Sequence, residues 1–98
     1  MITVYIAGKI TGDPEYKAKF AEAQQSLEAK GYIVVNPAIF PLRGFTYEQY
    51  VRMGIALLNE CETICLLPDW KDSEGAKFEL EYAYIMGKEV MHYEAGSD

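Results

Sequence analysis

The stretch "TICLLPDWKDSEGAKFELEYAYIMGKEVMHYE", Thr63–Glu94, holds a complete strand–helix–strand pattern. "TICLLP" is a short, continuous apolar run of the kind found in strands buried on both faces, and "DWKD" is a polar loop. Ser73 is an N-cap candidate for a helix read as "SEGAKFELEYAYIMGK", and "KEVMHYE" forms the next strand after Gly87. Two strands joined through a helix imply a right-handed crossover and parallel pairing. One residue breaks the helix pattern. Ala76, Leu80, Ala83 and Gly87 share a narrow arc, and Glu79 lies about 60° from its centre, on the edge of a packing face. Glu81 points away from that arc.

Upstream the same alternation repeats. "ITVYIAG" reads as a strand buried on both faces and ending at Gly8, followed by the loop "GKITGDPEY". Asp13 and Pro14 suit the N-cap and first position of a helix whose apolar stripe is Tyr16, Phe20, Ala23 and Leu27, closed near Gly31. "YIVVN" is the second strand. Pro37, Pro41 and Gly44 break the chain, and "TYEQ" carries a capping-box pattern opening a helix to about Cys61. The expectation is a single α/β domain over residues 1–98 with a polar tail "AGSD". Its architecture is a doubly wound, Rossmann- or flavodoxin-like three-layer sandwich whose mostly parallel four-stranded sheet has the order 2-1-3-4. Ligands in such sheets bind beyond the carboxyl ends of the strands where the order reverses, which selects the loops 8–13, 36–46 and 68–76.

Composition excludes several classes. A net charge of −6 argues against a partner that is a nucleic acid polymer, whose phosphates call for a basic stripe. No apolar run reaches 18 residues and Met1 leads directly into a strand, so no membrane partner is expected and the localisation expected is cytoplasmic. Cys61 and Cys65 lack companions for a metal site and read as reduced thiols. His92 falls in the last strand, away from any triad partner. Neither metal nor cofactor is expected, and the modest core of 98 residues makes a homo-oligomer, dimer or higher, plausible.

The selected edge gathers Tyr5, Gly8, Lys9, Ile10, Asn36, Asp69, Trp70, Asp72, Ser73, Gly75, Ala76 and Glu79. The glycines of "GKITGD" permit close backbone approach, but their spacing matches neither a dinucleotide fingerprint nor a P-loop. The start of the last helix offers free N–H groups to an anion, and Ser73 either caps that helix alone or also donates to the ligand. Glu79 either swings to solvent or is held inward, where a carboxylate needs a hydrogen bond; the Tyr5 hydroxyl is within reach of that role.

These residues resemble a family. "VYIAGKITG", the "NP" after the second strand and above all "LLPDWKDSEGAKFELEYAYIMGK" are similar to the nucleoside 2-deoxyribosyltransferase-like superfamily. The branch resembled is a small, often phage-encoded one of DUF4406 type, related to 2'-deoxynucleoside 5'-monophosphate N-glycosidases. The signature residues are Ser73, Gly75, Ala76, Glu79, Ala83, Gly87 and Lys88, and the likeness spans about residues 2–91. It implies that Glu79 is a nucleophile, that Tyr5 orients it, that Ser73 lines the sugar or 5'-phosphate site, and that the partner is a nucleoside or nucleotide. The relatives complete their sites as homo-oligomers.

The chain departs from that pattern at Gly54, where the enzymes of the family carry an aspartate that handles the leaving base. Asp69 and Asp72 are then candidate proton donors, or solvated loop acids. Lys9 stands where nucleotide hydrolases carry an arginine. Trp70 either stacks on a base or covers the sheet end, and Tyr47 and Tyr50 are placed to close the site. Two functions follow: an N-glycosidic enzyme acting on 2'-deoxynucleosides or their 5'-monophosphates, favoured by Glu79 with Tyr5, or an inactive nucleotide-binding protein, favoured by Gly54. A phosphoacceptor domain and a flavodoxin are set aside, because the first loop supplies neither paired acids nor enough hydroxyls.

Overall fold

The structure, a computed structural model, describes residues 1–40 and 43–94. Pro41, expected to break the chain, and the polar tail 95–98 lie outside the described residues. The elements are β1 (Thr3–Ala7), α1 (Tyr16–Ala29), β2 (Ile33–Val35), α2 (Tyr47–Asn59), β3 (Thr63–Leu66), α3 (Glu74–Ile85) and β4 (Glu89–His92), with single 3-10 turns at Pro37–Ile39 and Trp70–Asp72. The sheet order is β2-β1-β3-β4 and every pairing is parallel, with Tyr5 beside Val35 on one side and Ile64 on the other.

Alternation along β1 builds two cores. Val4 and Ile6 pack with Phe20, Ala23 and Leu27 of α1, whereas Tyr5 and Ala7 pack with Leu58 of α2 and Ala76, Leu80 and Ala83 of α3. Burying each large side chain contributes about 1.5–3 kcal/mol, so both faces are needed to hold so short a chain. Cys61 and Cys65 are free, buried thiols, one in each core. His92 is exposed on β4.

Local signals fix most boundaries. Thr46 and Gln49 form the expected capping box, and Ser73 caps α3 by accepting from the Ala76 amide at 3.1 Å. Two expectations need correction. Asp13 is not the cap of α1, which begins at Tyr16; its carboxylate accepts from the Glu15 amide at 2.9 Å and so stabilises the turn ahead of the helix. Nor does α3 continue through Gly87. It stops at Ile85, and Gly87, at φ 71°, closes it: Gly87 donates to Tyr84 and Lys88 to Ala83, a Schellman closure that favours glycine. The Lys88 ammonium then donates to the carbonyls of Asn59 and Cys61, at 3.2 and 2.6 Å, tying the open end of α2 to the start of β4.

Candidate active site

A cavity of about 510 Å³ opens at the carboxyl end of β1. Its walls come from the loop after β1, the turn at Pro37–Ile39, α2 and the start of α3, in agreement with the three loops selected from the sheet order. Tyr5 and Glu79 share its floor. The Tyr5 hydroxyl donates to Glu79 Oε2 at 2.6 Å, short for a neutral bond and typical of one to a carboxylate. Glu79 therefore points inward, while Glu81 is exposed on the opposite side of the helix.

The pair is held in a dry setting. Tyr5 is buried, and desolvation with the adjacent Glu79 charge pushes its phenol well above the usual value, so it keeps its proton and acts as donor. Burial raises Glu79 from the ordinary 4.5 to about 7, against the smaller downward pull of the Tyr5 hydrogen bond. As a residue Glu79 retains intermediate exposure because the surface it shows is cavity wall, but protein still displaces most water from its carboxyl group.

Gly54 completes this arrangement. It is buried on α2, and a Cβ there would press on Glu79 Oε2 and stand 2.9 Å from the Tyr5 hydroxyl oxygen. The missing side chain is thus the space in which phenol and acid meet, and an aspartate at 54 would require Glu79 to move.

The other candidates divide. Gly8, Lys9, Ile10, Asp72, Ser73, Gly75 and Ala76 line the cavity. Gly8 is small for a reason other than ligand approach, since a Cβ would lie 2.8–3.0 Å from the Leu67 side chain. Asp69, Asn36 and Trp70 are not among the lining residues. Asp69 accepts from the Lys9 amide and pairs with Lys19, both at 3.1 Å, and Lys19 also pairs with Asp13 at 2.6 Å, so this network fastens the β1 loop to the β3 loop. The pairing lowers the Asp13 carboxyl below its ordinary value. Asn36 caps the turn at Pro37 through the Ala38 amide and donates to Gln24. Trp70 packs against the α2–α3 core, with the Lys71 ammonium 5.7 Å from its ring centroid. Tyr47 and Tyr50 do line the cavity, as do Tyr16 and Phe40, which sequence reasoning did not assign to it. The available signal was aromatic residues clustered at the ends of two neighbouring elements. Among the described residues no group of three or more His, Cys, Asp or Glu could hold a metal ion, and no helix is long and apolar enough to cross a membrane.

Residues 2–92 match the family described as a domain of unknown function, DUF4406, and the chain belongs to that family. No curated protein matches the sequence. Among solved structures, a 2-deoxyribosyltransferase from Leishmania mexicana superposes with a TM-score of 0.73 at 20% identity, covering 95% of this chain and 64% of that one. The fold is therefore that of a 2-deoxyribosyltransferase, and this chain spans about two thirds of that enzyme's length.

Proposed function

We propose that this chain cleaves or transfers the N-glycosidic bond of 2'-deoxynucleosides or their 5'-monophosphates, with Glu79 as nucleophile and residues 1–98 as one catalytic domain. The observation that carries the reading is the 2.6 Å bond from Tyr5 to Glu79 on the floor of the cavity. With Oε2 held by the phenol, Oε1 is the oxygen directed to attack. It bonds to the anomeric carbon as the bond to the base breaks, and the bond pair leaves with the base, which takes up a proton. Water or a second base then attacks the same carbon, expels Glu79 and restores the carboxylate, as in retaining glycoside hydrolysis. Asp72 is the loop acid that lines the cavity and is the better placed donor for the departing base; Asp69 is occupied by Lys9 and Lys19. The fold and the family signature in α3 support the same assignment.

A second reading is a binder that holds a nucleotide without turning it over. Gly54 favours it, because α2 presents no acid beside Glu79 to protonate a base. Incubation with the four 2'-deoxynucleosides and their 5'-monophosphates, followed by chromatography for free base, separates the two. The enzyme reading expects base release that falls by about 10⁴-fold in Glu79→Ala. Binding without release, equal in wild type and variant, would establish the binder.

A further inference from the structure

We infer that the cavity takes the uncharged 2'-deoxynucleoside in preference to its 5'-monophosphate, a refinement that rests on reading the site as a nucleoside pocket. Three carboxylates line it, from Asp72, Glu74 and Glu79, against one ammonium, from Lys9. Residues 41–42 and 95–98 include no lysine or arginine. Arg52 opens on an adjoining depression that shares Tyr47, Val51 and Glu74 with the cavity. A phosphate dianion entering here meets like charge from Asp72 and Glu74, and from Glu79 once it ionises, within a chain of net charge −6.

The start of α3, where an anion would otherwise be welcome, already carries two oxygen groups of this chain. Ser73 accepts from the Ala76 amide, and Glu74 supplies a carboxylate to the first turn, where the helix dipole is positive. Two neutral hydroxyls stand beside this turn. A Cβ at Gly75 would lie 3.8 Å from Ser73 Oγ and 3.9 Å from the Tyr47 hydroxyl oxygen, so both hydroxyls flank this turn at the cavity wall. They match the 5'-hydroxyl of a sugar, which both donates and accepts. Glu74 is 84% exposed at its side chain and pairs with Lys77, so salt weakens its repulsion. The expected discrimination is therefore about 10-fold, not thousands.

The test compares kcat/KM for each nucleoside with that of its 5'-monophosphate at low and at high salt, alongside equilibrium binding of both to Glu79→Gln. The expected result is a nucleoside preference of about 10-fold that narrows as salt rises. Glu74→Lys, or Glu74→Gln should the reversal not fold, shifts the ratio toward the monophosphate by about three-fold or more. Equal or better use of the monophosphate overturns the proposal, and a ratio unmoved by either Glu74 variant overturns its electrostatic origin. If neither compound is cleaved, tighter binding of the nucleoside to Glu79→Gln upholds the selection while removing the catalytic reading. Tighter binding of the monophosphate, or binding of neither, overturns the selection.

Discussion

The two sides of β1 use the same alternation to different ends. Toward α1, Val4 and Ile6 meet Phe20, Ala23 and Leu27 in a core that, among the described residues, holds no carboxylate. Toward α2 and α3, Tyr5 and Ala7 face Leu58, Ala76 and Leu80, and into this second core the fold admits a phenol, a carboxylate and a glycine notch. The first side contributes stability through burial alone. The second gives some of it up, since a carboxylate stripped of water is favourable only when protonated or strongly hydrogen-bonded. The chemistry sits on the side where packing is compromised, and the sheet lets the other side compensate.

Leu27→Ala should break the comparison most visibly. It removes a fully buried side chain from the apolar core and is expected to cost about 2–5 kcal/mol by denaturant unfolding. Base release per folded molecule should stay within about two-fold, because Leu27 does not line the cavity. Next in size is the pH dependence of the other side. An unfolded Glu79 releases its proton near 4.5 and the folded one near about 7, so between these values the folded state holds the extra proton. The stability this confers is fully present below about 4.5 and lost as pH rises through about 7. Glu79→Gln should therefore exceed wild type in stability by roughly 3 kcal/mol at pH 8 and match it at pH 4. A difference that does not change with pH would mean the carboxylate is not strained.

Tyr5→Phe tests the hydrogen bond itself. Wild-type kcat/KM is expected to climb with pH toward a plateau above about 7 as Glu79 ionises. Losing the phenol removes a stabiliser of the charged form, so the limb should move to higher pH and the plateau fall by about 10–100-fold. A limb that stays in place would detach Tyr5 from Glu79. The smallest expected effect on stability is that of Gly54→Ala. Overpacking costs about 1–3 kcal/mol, offset by about 1 kcal/mol gained in helix propensity. Activity should nonetheless fall with it, because the new methyl occupies the contact between Tyr5 and Glu79. A stabilised, fully active Gly54→Ala would sharpen the contrast in the opposite direction, showing the second core to be as adaptable as the first.

The sheet order was legible because periodicity and crossover handedness are properties of the chain alone, and Glu79 was legible because it interrupts a helix pattern. The caps at Thr46 and Ser73 have short-range signatures and were found for that reason. What escaped depends on partners distant in sequence. Asp69 belongs to Lys19, Asn36 to Gln24, and Trp70 to the core, none of which a loop position can reveal. An Asp-Pro pair serves a turn as well as a helix start, and Asp13 serves the turn. Gly54 departs from the family pattern in the sequence itself, but the pair it makes room for, Tyr5 and Glu79, comes together only in the fold.

The grip of Lys88 on the Asn59 carbonyl, the last of α2, and on that of Cys61 just beyond has a geometric corollary. Advancing a helix by one residue translates it by about 1.5 Å and turns it by about 100°. Such a slip would bring Met53 or Ile55 round to where Gly54 now stands, and either side chain would evict the acid. By anchoring the far end of α2, a lysine outside the cavity opposes that slip, so the alignment of the reactive floor is held in part from beyond the cavity wall.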